Sequence, residues 1–272
     1  MTNYIMEDPR EARRLAEKVD PKIWVDNYFA HFLSNSHSRI LDVGCGPGVL
    51  SAEIAQRFPT TSVFGVDASA ERIKAAESYN RNHENLHFST QNAEHLAFDN
   101  HEFDLVFCRL MLEYSPSPET VINEMHRVCK PGGHVVLQDL DGQLMWHYPE
   151  DRELQEALEI FLRKAKTTGF DPYIGRKLFS FAKNAGFTSI SVSVDPYHLY
   201  TGRIPDKELD DWELKLDIAL PLISEALGEQ KAHAMKKRFL EYLCDEDTLT
   251  YSVIFTVTGM VPLSTQSNEK KD

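Results

Sequence analysis

The stretch Ile40-Leu41-Asp42-Val43-Gly44-Cys45-Gly46-Pro47-Gly48-Val49-Leu50 decides the fold. Arg39 to Val43 is short and apolar, as expected of a strand buried inside a parallel sheet. Glycines then fall at every second position, at Gly44, Gly46 and Gly48. Without a Cβ, glycine takes positive φ and lets a ligand come close to the backbone. From Leu50 the apolar residues Leu50, Ile54, Ala55 and Phe58 keep helical spacing. The order is therefore strand, glycine turn, helix. The free N–H groups at such a helix start favour a polar or anionic ligand.

Two neighbours strengthen this reading. Val63-Phe64-Gly65-Val66-Asp67 is a second apolar strand ending in an acid. An acid at that tip of a βαβ unit can accept both hydroxyls of a ribose. A third strand, Leu86 to Ser89, leads into Gln91-Asn92-Ala93-Glu94. The competing reading is a nicotinamide dinucleotide site, whose fingerprint sets a longer gap between its last two glycines. Here only Pro47 separates Gly46 from Gly48. Proline removes a backbone donor and stiffens the turn, which suits a ligand without a pyrophosphate.

Together with Phe103-Asp104-Leu105-Val106 and Lys130-Pro131-Gly132-Gly133, these residues resemble the class I S-adenosylmethionine-dependent methyltransferases in order and spacing. The resemblance is close over residues 37–140 and loose elsewhere. It implies a Rossmann-like α/β fold, with a seven-stranded, mostly parallel sheet and an antiparallel edge hairpin. It also implies S-adenosyl-L-methionine as cofactor. By resemblance, the turn Gly44-Cys45-Gly46 approaches the methionine part of the cofactor, and Asp42 lies near its ammonium. Asp67 accepts the ribose hydroxyls, or alternatively caps the next helix. Ala68 borders the adenine, and Asn92-Ala93 meets its edge. Many family members carry aspartate where this chain has Asn92, whose amide offers a donor as well as an acceptor. Arg109, after strand four, is carried over as the family's backbone contact to the methionine end.

The acceptor side is less defined. Glu113-Tyr114 sits just beyond strand four and could face the acceptor. Asp139-Leu140-Asp141-Gly142 and Trp146-His147-Tyr148-Pro149 follow strand five, where acceptor-binding groups are expected. His147 is the base candidate, because a pKa near ~6.5 suits proton removal at neutral pH. The chain has 11 histidines, so an exposed loop histidine is the alternative. Tyr148 and Tyr173, with Tyr197, His198 and Tyr200, could line a small-molecule pocket or anchor loops. No Asn-Pro-Pro-Tyr-type sequence follows strand four; Cys108-Arg109-Leu110-Met111 stands there.

The net charge of −13, from 42 acids and 29 bases, argues against nucleic acid as partner. The densest basic cluster, Lys231, Lys236, Lys237 and Arg238, shares a helix with acids and reads as a solvated face. Four cysteines, Cys45, Cys108, Cys129 and Cys244, show no metal-ligand spacing, so no metal is expected. The first residues carry acids and no apolar core, and no segment has the ~20 apolar residues that span a membrane. A reduced, cytoplasmic protein is expected.

Strands and helices alternate through 39–138, giving a parallel sheet with helices on both faces. The spacing predicts N-terminal helices within 1–36, a core of 37–194 and 248–260, and a tail of 261–272 expected to be disordered. Thr188–Val194 and Thr248–Thr258 read as the edge hairpin. Residues 195–247 between them are far longer than a hairpin loop and carry Leu209, Trp212, Leu216, Leu220, Ile223 and Leu227 at helical spacing. They form a helical cap over the substrate side or an oligomer interface, with Trp212 buried within one chain or across a homodimer. The expected activity is methyl transfer to oxygen, nitrogen or carbon of a small organic acceptor, without membrane partners. The alternatives are a non-catalytic cofactor-binding partner protein and a protein methyltransferase.

Overall fold

The computed structural model describes residues 19–28, 32 and 38–263, with the side chains of 143–146 excepted. The expected helical residues before Val19, the tail from 264 and the side chain of Trp146 lie outside the described residues. Helix α1 (Pro21–Tyr28) falls within the expected N-terminal helical region. Asp20 Oδ1 accepts from the N–H groups of Lys22 at 3.0 Å and Ile23 at 3.2 Å, and Pro21 occupies the first turn.

Seven strands form one sheet in the order β3-β2-β1-β4-β5-β7-β6. They are β1 (Arg39–Val43), β2 (Ser62–Asp67), β3 (Leu86–Thr90), β4 (Phe103–Arg109), β5 (Cys129–Tyr148), β6 (Thr188–Thr201) and β7 (Leu249–Met260). The first five run parallel, and β7 pairs antiparallel with both β5 and β6. The parallel half is joined by α2 (Val49–Arg57), α3 (Ala70–Tyr79) and α4 (Pro118–Val128). Ser69 caps α3, its Oγ accepting from Arg72 N–H at 3.4 Å. Beyond β5 come α5 (Arg152–Ala165), α6 (Leu178–Asn184), α7 (Asp206–Leu227) and α8 (Glu229–Leu243).

Because side chains alternate across a strand, the sheet has two distinct faces. One carries Ile40, Val63, Leu105, Phe107 and Val136, packed on Trp24 and Val25 of α1 and Ile54 of α2. The other carries Leu41, Val43, Val106, Val135 and Val257, packed on Ile122 and Met125 of α4 and Leu178 of α6. A separate apolar cluster joins Leu154 and Leu158 of α5 to Trp212 and Ile223 of α7 and Phe239 of α8. The cap is thus three helices, not only the pair between β6 and β7, and Trp212 is buried within the chain.

Three boundaries differ from the sequence expectation. Lys130-Pro131-Gly132-Gly133 is drawn into β5 rather than standing as a separate turn, with a register shift opposite Phe103 and Leu105. Strand β5 does not end near Gln138. After an irregularity it continues through Trp146, His147 and Tyr148, paired with Tyr251, Thr250 and Leu249 of β7. Likewise β6 runs past Val194 to Thr201. It runs through Pro196 because β6 is an edge strand and the register shifts between Pro196 and His198, a place where proline is tolerated. The two extensions and β7 form an antiparallel wing above the parallel sheet. Among the described residues, no helix is long and apolar enough to cross a membrane.

Candidate functional site

The turn after β1 is held by two bonds, Gly44 N–H and Cys45 N–H donating to Val66 O at 2.8 and 3.0 Å. Gly44, Gly46 and Gly48 take φ of 76°, 55° and 75°, the left-handed region that favours glycine. Their surroundings differ. A Cβ on Gly44 would meet Met111 Cγ at 2.5 Å, and one on Gly48 would meet Phe88 Cζ at 2.4 Å. A Cβ on Gly46 would meet nothing within 4 Å. Gly44 and Gly48 are glycine for packing, whereas Gly46 borders open space, the place where a ligand can approach.

Asp67, at the tip of β2, faces that opening. Its Oδ2 accepts from Gly46 N–H and its Oδ1 from Ser69 N–H, each at 2.9 Å. Arg72 Nη1 stands 4.0 Å from Oδ2. The carboxylate therefore joins the turn to the start of α3 and keeps acceptor capacity on both oxygens. Ala68 is exposed beside it. Asp42 lies one strand over, 3% exposed, accepting from Ser51 Oγ at 2.6 Å. Burial, and next the charge of Asp67, push its pKa up to about 7, against the Ser51 bond. Cys45 is buried, and burial raises its thiol well above the ordinary range, so it is inert packing. Asn92 is exposed; its Oδ1 accepts from Glu94 N–H at 3.0 Å. Ala93 packs against the core.

Arg109 ends β4. Its Nε donates to Gln138 Oε1 at 2.9 Å, and its guanidinium lies 5.7 Å from the Tyr197 ring centroid. The next residue, Leu110, has φ of 52°, a strained conformation for leucine, fixed by its N–H donating to Gln138 O at 2.9 Å. Helix α1 covers this region. Trp24 Nε1 donates to Gln138 Oε1 at 2.7 Å, and Tyr28 Oη donates to Asp195 Oδ2 at 2.8 Å. Gln138 completes its bonding through Nε2 to Thr256 Oγ1 at 2.7 Å. Sequence reasoning missed Gln138, Asp195 and Thr256. For Gln138 and Thr256 the signal was a polar residue at a buried strand position.

The acceptor candidates divide. Glu113, Tyr114, Asp141 and Tyr173 come together on the opposite face of the sheet. Glu113 is 2% exposed; its N–H donates to Asp139 Oδ2 at 3.2 Å and its carbonyl accepts from Asp171 N–H at 2.7 Å. Burial, then the Glu113 charge, raise the Asp139 pKa well above the usual carboxylate range. Tyr114 stacks near Phe170 at 5.3 Å. Asp141 is buried and paired with Arg176, which donates from its N–H at 3.0 Å and Nε at 2.7 Å and covers the Tyr173 ring at 4.8 Å. Tyr148 is not part of this group: it stands 72% exposed on the wing.

His147 is likewise apart. The β7 partner of Gln138 is Thr256 and that of His147 is Thr250, so His147 lies about 20 Å beyond the parallel sheet's edge at the usual strand rise. Its Nδ1 lies 3.1 Å from Thr250 Oγ1, and its ring meets Tyr242 at 4.8 Å and Phe239 at 6.1 Å. Burial lowers its pKa to about 4. The structure places it in the seam between wing and cap, not at the glycine turn. His198 occupies the same seam, with Nδ1 2.6 Å from Ser252 Oγ and its ring 5.4 Å from Trp212. Among the described residues no His, Cys, Asp or Glu cluster could hold a metal ion.

Residues 34–173 match the methyltransferase domain family. An uncharacterized methyltransferase of Schizosaccharomyces pombe is 30% identical over 75% of this chain and 76% of its own length. A ubiquinone biosynthesis O-methyltransferase of Pseudomonas entomophila is 35% identical over 43% of this chain, and that match spans 49% of the relative. A solved structure of Haemonchus contortus phosphoethanolamine N-methyltransferase 2, with phosphomonomethylethanolamine and S-adenosylhomocysteine, superposes with a TM-score of 0.55. It is 18% identical and the match covers 85% of this chain and 50% of that one, so the likeness is one of fold.

Proposed function

This chain belongs to the methyltransferase domain family, and on that premise we propose that it transfers a methyl group from S-adenosylmethionine to a small organic acceptor in the cytoplasm. One observation carries the reading. Of the three turn glycines, only Gly46 borders open space, and the Asp67 carboxylate stands against its N–H. That is a fit for a ligand offering a ribose to Asp67 and an amino acid to the turn. When bound, the cofactor supplies a methyl carbon already activated by a positive sulfur.

Transfer of such a methyl is an in-line displacement, so the protein's task is to align the partners and exclude water. Asp67 would take the ribose hydroxyls and Asp42 the ammonium. The backbone of Gly44, Cys45, Gly46 and Arg109 would border the methionine end, with Ala68, Asn92 and Ala93 at the adenine. Trp24 and Tyr28 hold α1 over the acceptor side through Gln138 and Asp195. A site overlain by α1 in this way would favour a small molecule over a protein segment. The O-methyltransferase relatives support that acceptor class, while their match over about half their length leaves the acceptor itself unassigned.

Calorimetric titration with S-adenosylmethionine and S-adenosylhomocysteine tests the reading. Asp67→Ala should weaken both by about 1–3 kcal/mol, the usual loss for a buried carboxylate's hydrogen bonds. An unchanged dissociation constant would remove Asp67 from the site. Binding of a nicotinamide dinucleotide in place of both would overturn the whole assignment.

A further inference from the structure

Arg109 uses one edge of its guanidinium and leaves the other open. Its Nε is used, donating to Gln138 Oε1 at 2.9 Å. Among the described residues its two terminal Nη groups make no hydrogen bond or ion pair, although its charge is felt by the buried Asp42, whereas other arginines such as Arg127, Arg176 and Arg238 are ion-paired. The side chain is also preorganised. Gln138 is fixed by Trp24 and Thr256, so the guanidinium it holds cannot swing freely. The Tyr197 ring lies beside the guanidinium, and the strained Leu110 backbone is tied to the same Gln138. A partly buried guanidinium with its fork open suits planar, bidentate recognition of an oxyanion.

Direction decides what that oxyanion belongs to. The turn glycines end β1, and Asp67 ends β2, on one side of β4. Arg109 leans the other way, onto Gln138 of β5 and toward Tyr197 of β6. The guanidinium therefore lies beneath α1 on the β5 side of β4. We propose that Arg109 binds a carboxylate or phosphate group of the methyl acceptor, so that the enzyme selects acidic acceptors despite its net charge of −13. This rests on the methyl-transfer reading given above.

The test titrates the protein with benzoate and phenyl phosphate, with phenol as the neutral control, both alone and saturated with S-adenosylhomocysteine. One of the anions should bind the wild type, and Arg109→Gln should weaken it about tenfold or more, to the level of phenol. Arg109→Lys keeps the charge without the fork and should fall between. In both variants the loss of anion affinity should exceed any loss of S-adenosylhomocysteine affinity, since Arg109 would border the cofactor through its backbone alone. The proposal is overturned if neither anion binds the wild type or if Arg109→Gln binds it as well. It is also overturned if Arg109→Gln weakens S-adenosylhomocysteine but not 5′-methylthioadenosine, since the fork would then serve the cofactor's own carboxylate. A wild type that fails to bind S-adenosylhomocysteine sinks the methyl-donor reading alone; the titrations without it still decide Arg109.

Discussion

Replacing Gly46 and Gly48 separately by alanine distinguishes a ligand-facing glycine from a packing one. Both take positive φ, 55° and 75°, so each alanine stores about 1–2 kcal/mol of backbone strain. At Gly46 the added methyl meets nothing within 4 Å. The fold should lose only that strain, a shift in Tm of roughly 2–8 °C at about 2–4 °C per kcal/mol for a chain this long. At Gly48 the methyl would stand 2.4 Å from Phe88 Cζ and 2.7 Å from Cε1. Phe88 cannot retreat simply, because its ring also closes on Gly65, where a Cβ would approach Cδ1 at 2.6 Å. Overpacking of this kind adds about 1–3 kcal/mol to the strain. Binding should show the reverse order. Gly46→Ala puts a methyl where S-adenosylhomocysteine would lie, costing about 1–3 kcal/mol, or up to a hundredfold in affinity. Gly48→Ala should bind almost normally once folded. Melting curves and calorimetric titration on the same samples read both effects. Wild-type affinity in Gly46→Ala, or equal loss of stability in the two variants, would refute the division of roles.

Two further predictions concern pH and are read from urea unfolding of variant and wild type over a pH series. The Asp42 pKa is raised from 3.8 to about 7, so between those values the unfolded chain is ionised while the fold keeps the proton. Wild-type stability relative to Asp42→Asn should therefore fall as pH rises from about 4 to 7, by at most about 1.4 kcal/mol per pH unit, and then level off. His147 is opposite: its pKa is lowered from 6.5 to about 4, so the unfolded chain binds the extra proton. Wild type should lose stability relative to His147→Phe as pH falls from 6.5 toward 4, and parallel curves would show that burial does not hold the ring neutral.

The half of the sheet that holds β1, β2 and β3 was legible because its chemistry lies in short contiguous runs. Positive-φ glycines, an acid at a strand tip and a serine before a helix each announce a local geometry. The region around Arg109 was not legible in that way. Gln138, Trp24, Asp195, Tyr197 and Thr256 come from four separate elements, and only the sheet's register sets them side by side. Strand β5 was read too short for a related reason. Residues 139–149 contain a glycine, acids and a proline, which look like a loop, yet β7 supplies a pairing partner along most of that length. His147 followed from the same error. It looked like a loop base over the site, and it is instead packed between a strand extension and the cap.

The architecture separates two demands that would conflict in one core. The cofactor side needs a rigid, strained turn, and it is built on strands buried on both faces. The acceptor side needs to differ between enzymes without disturbing that turn. The acceptor side proposed above would lie among α1, the wing and a cap whose apolar cluster is distinct from the two clusters that flank the sheet. Gln138 is the joint between them. It lies beside Arg109 in the register, receives Trp24 from α1, and reaches Thr256 of β7. Gln138 therefore links the Arg109 guanidinium to α1 on one side and to β7 on the other.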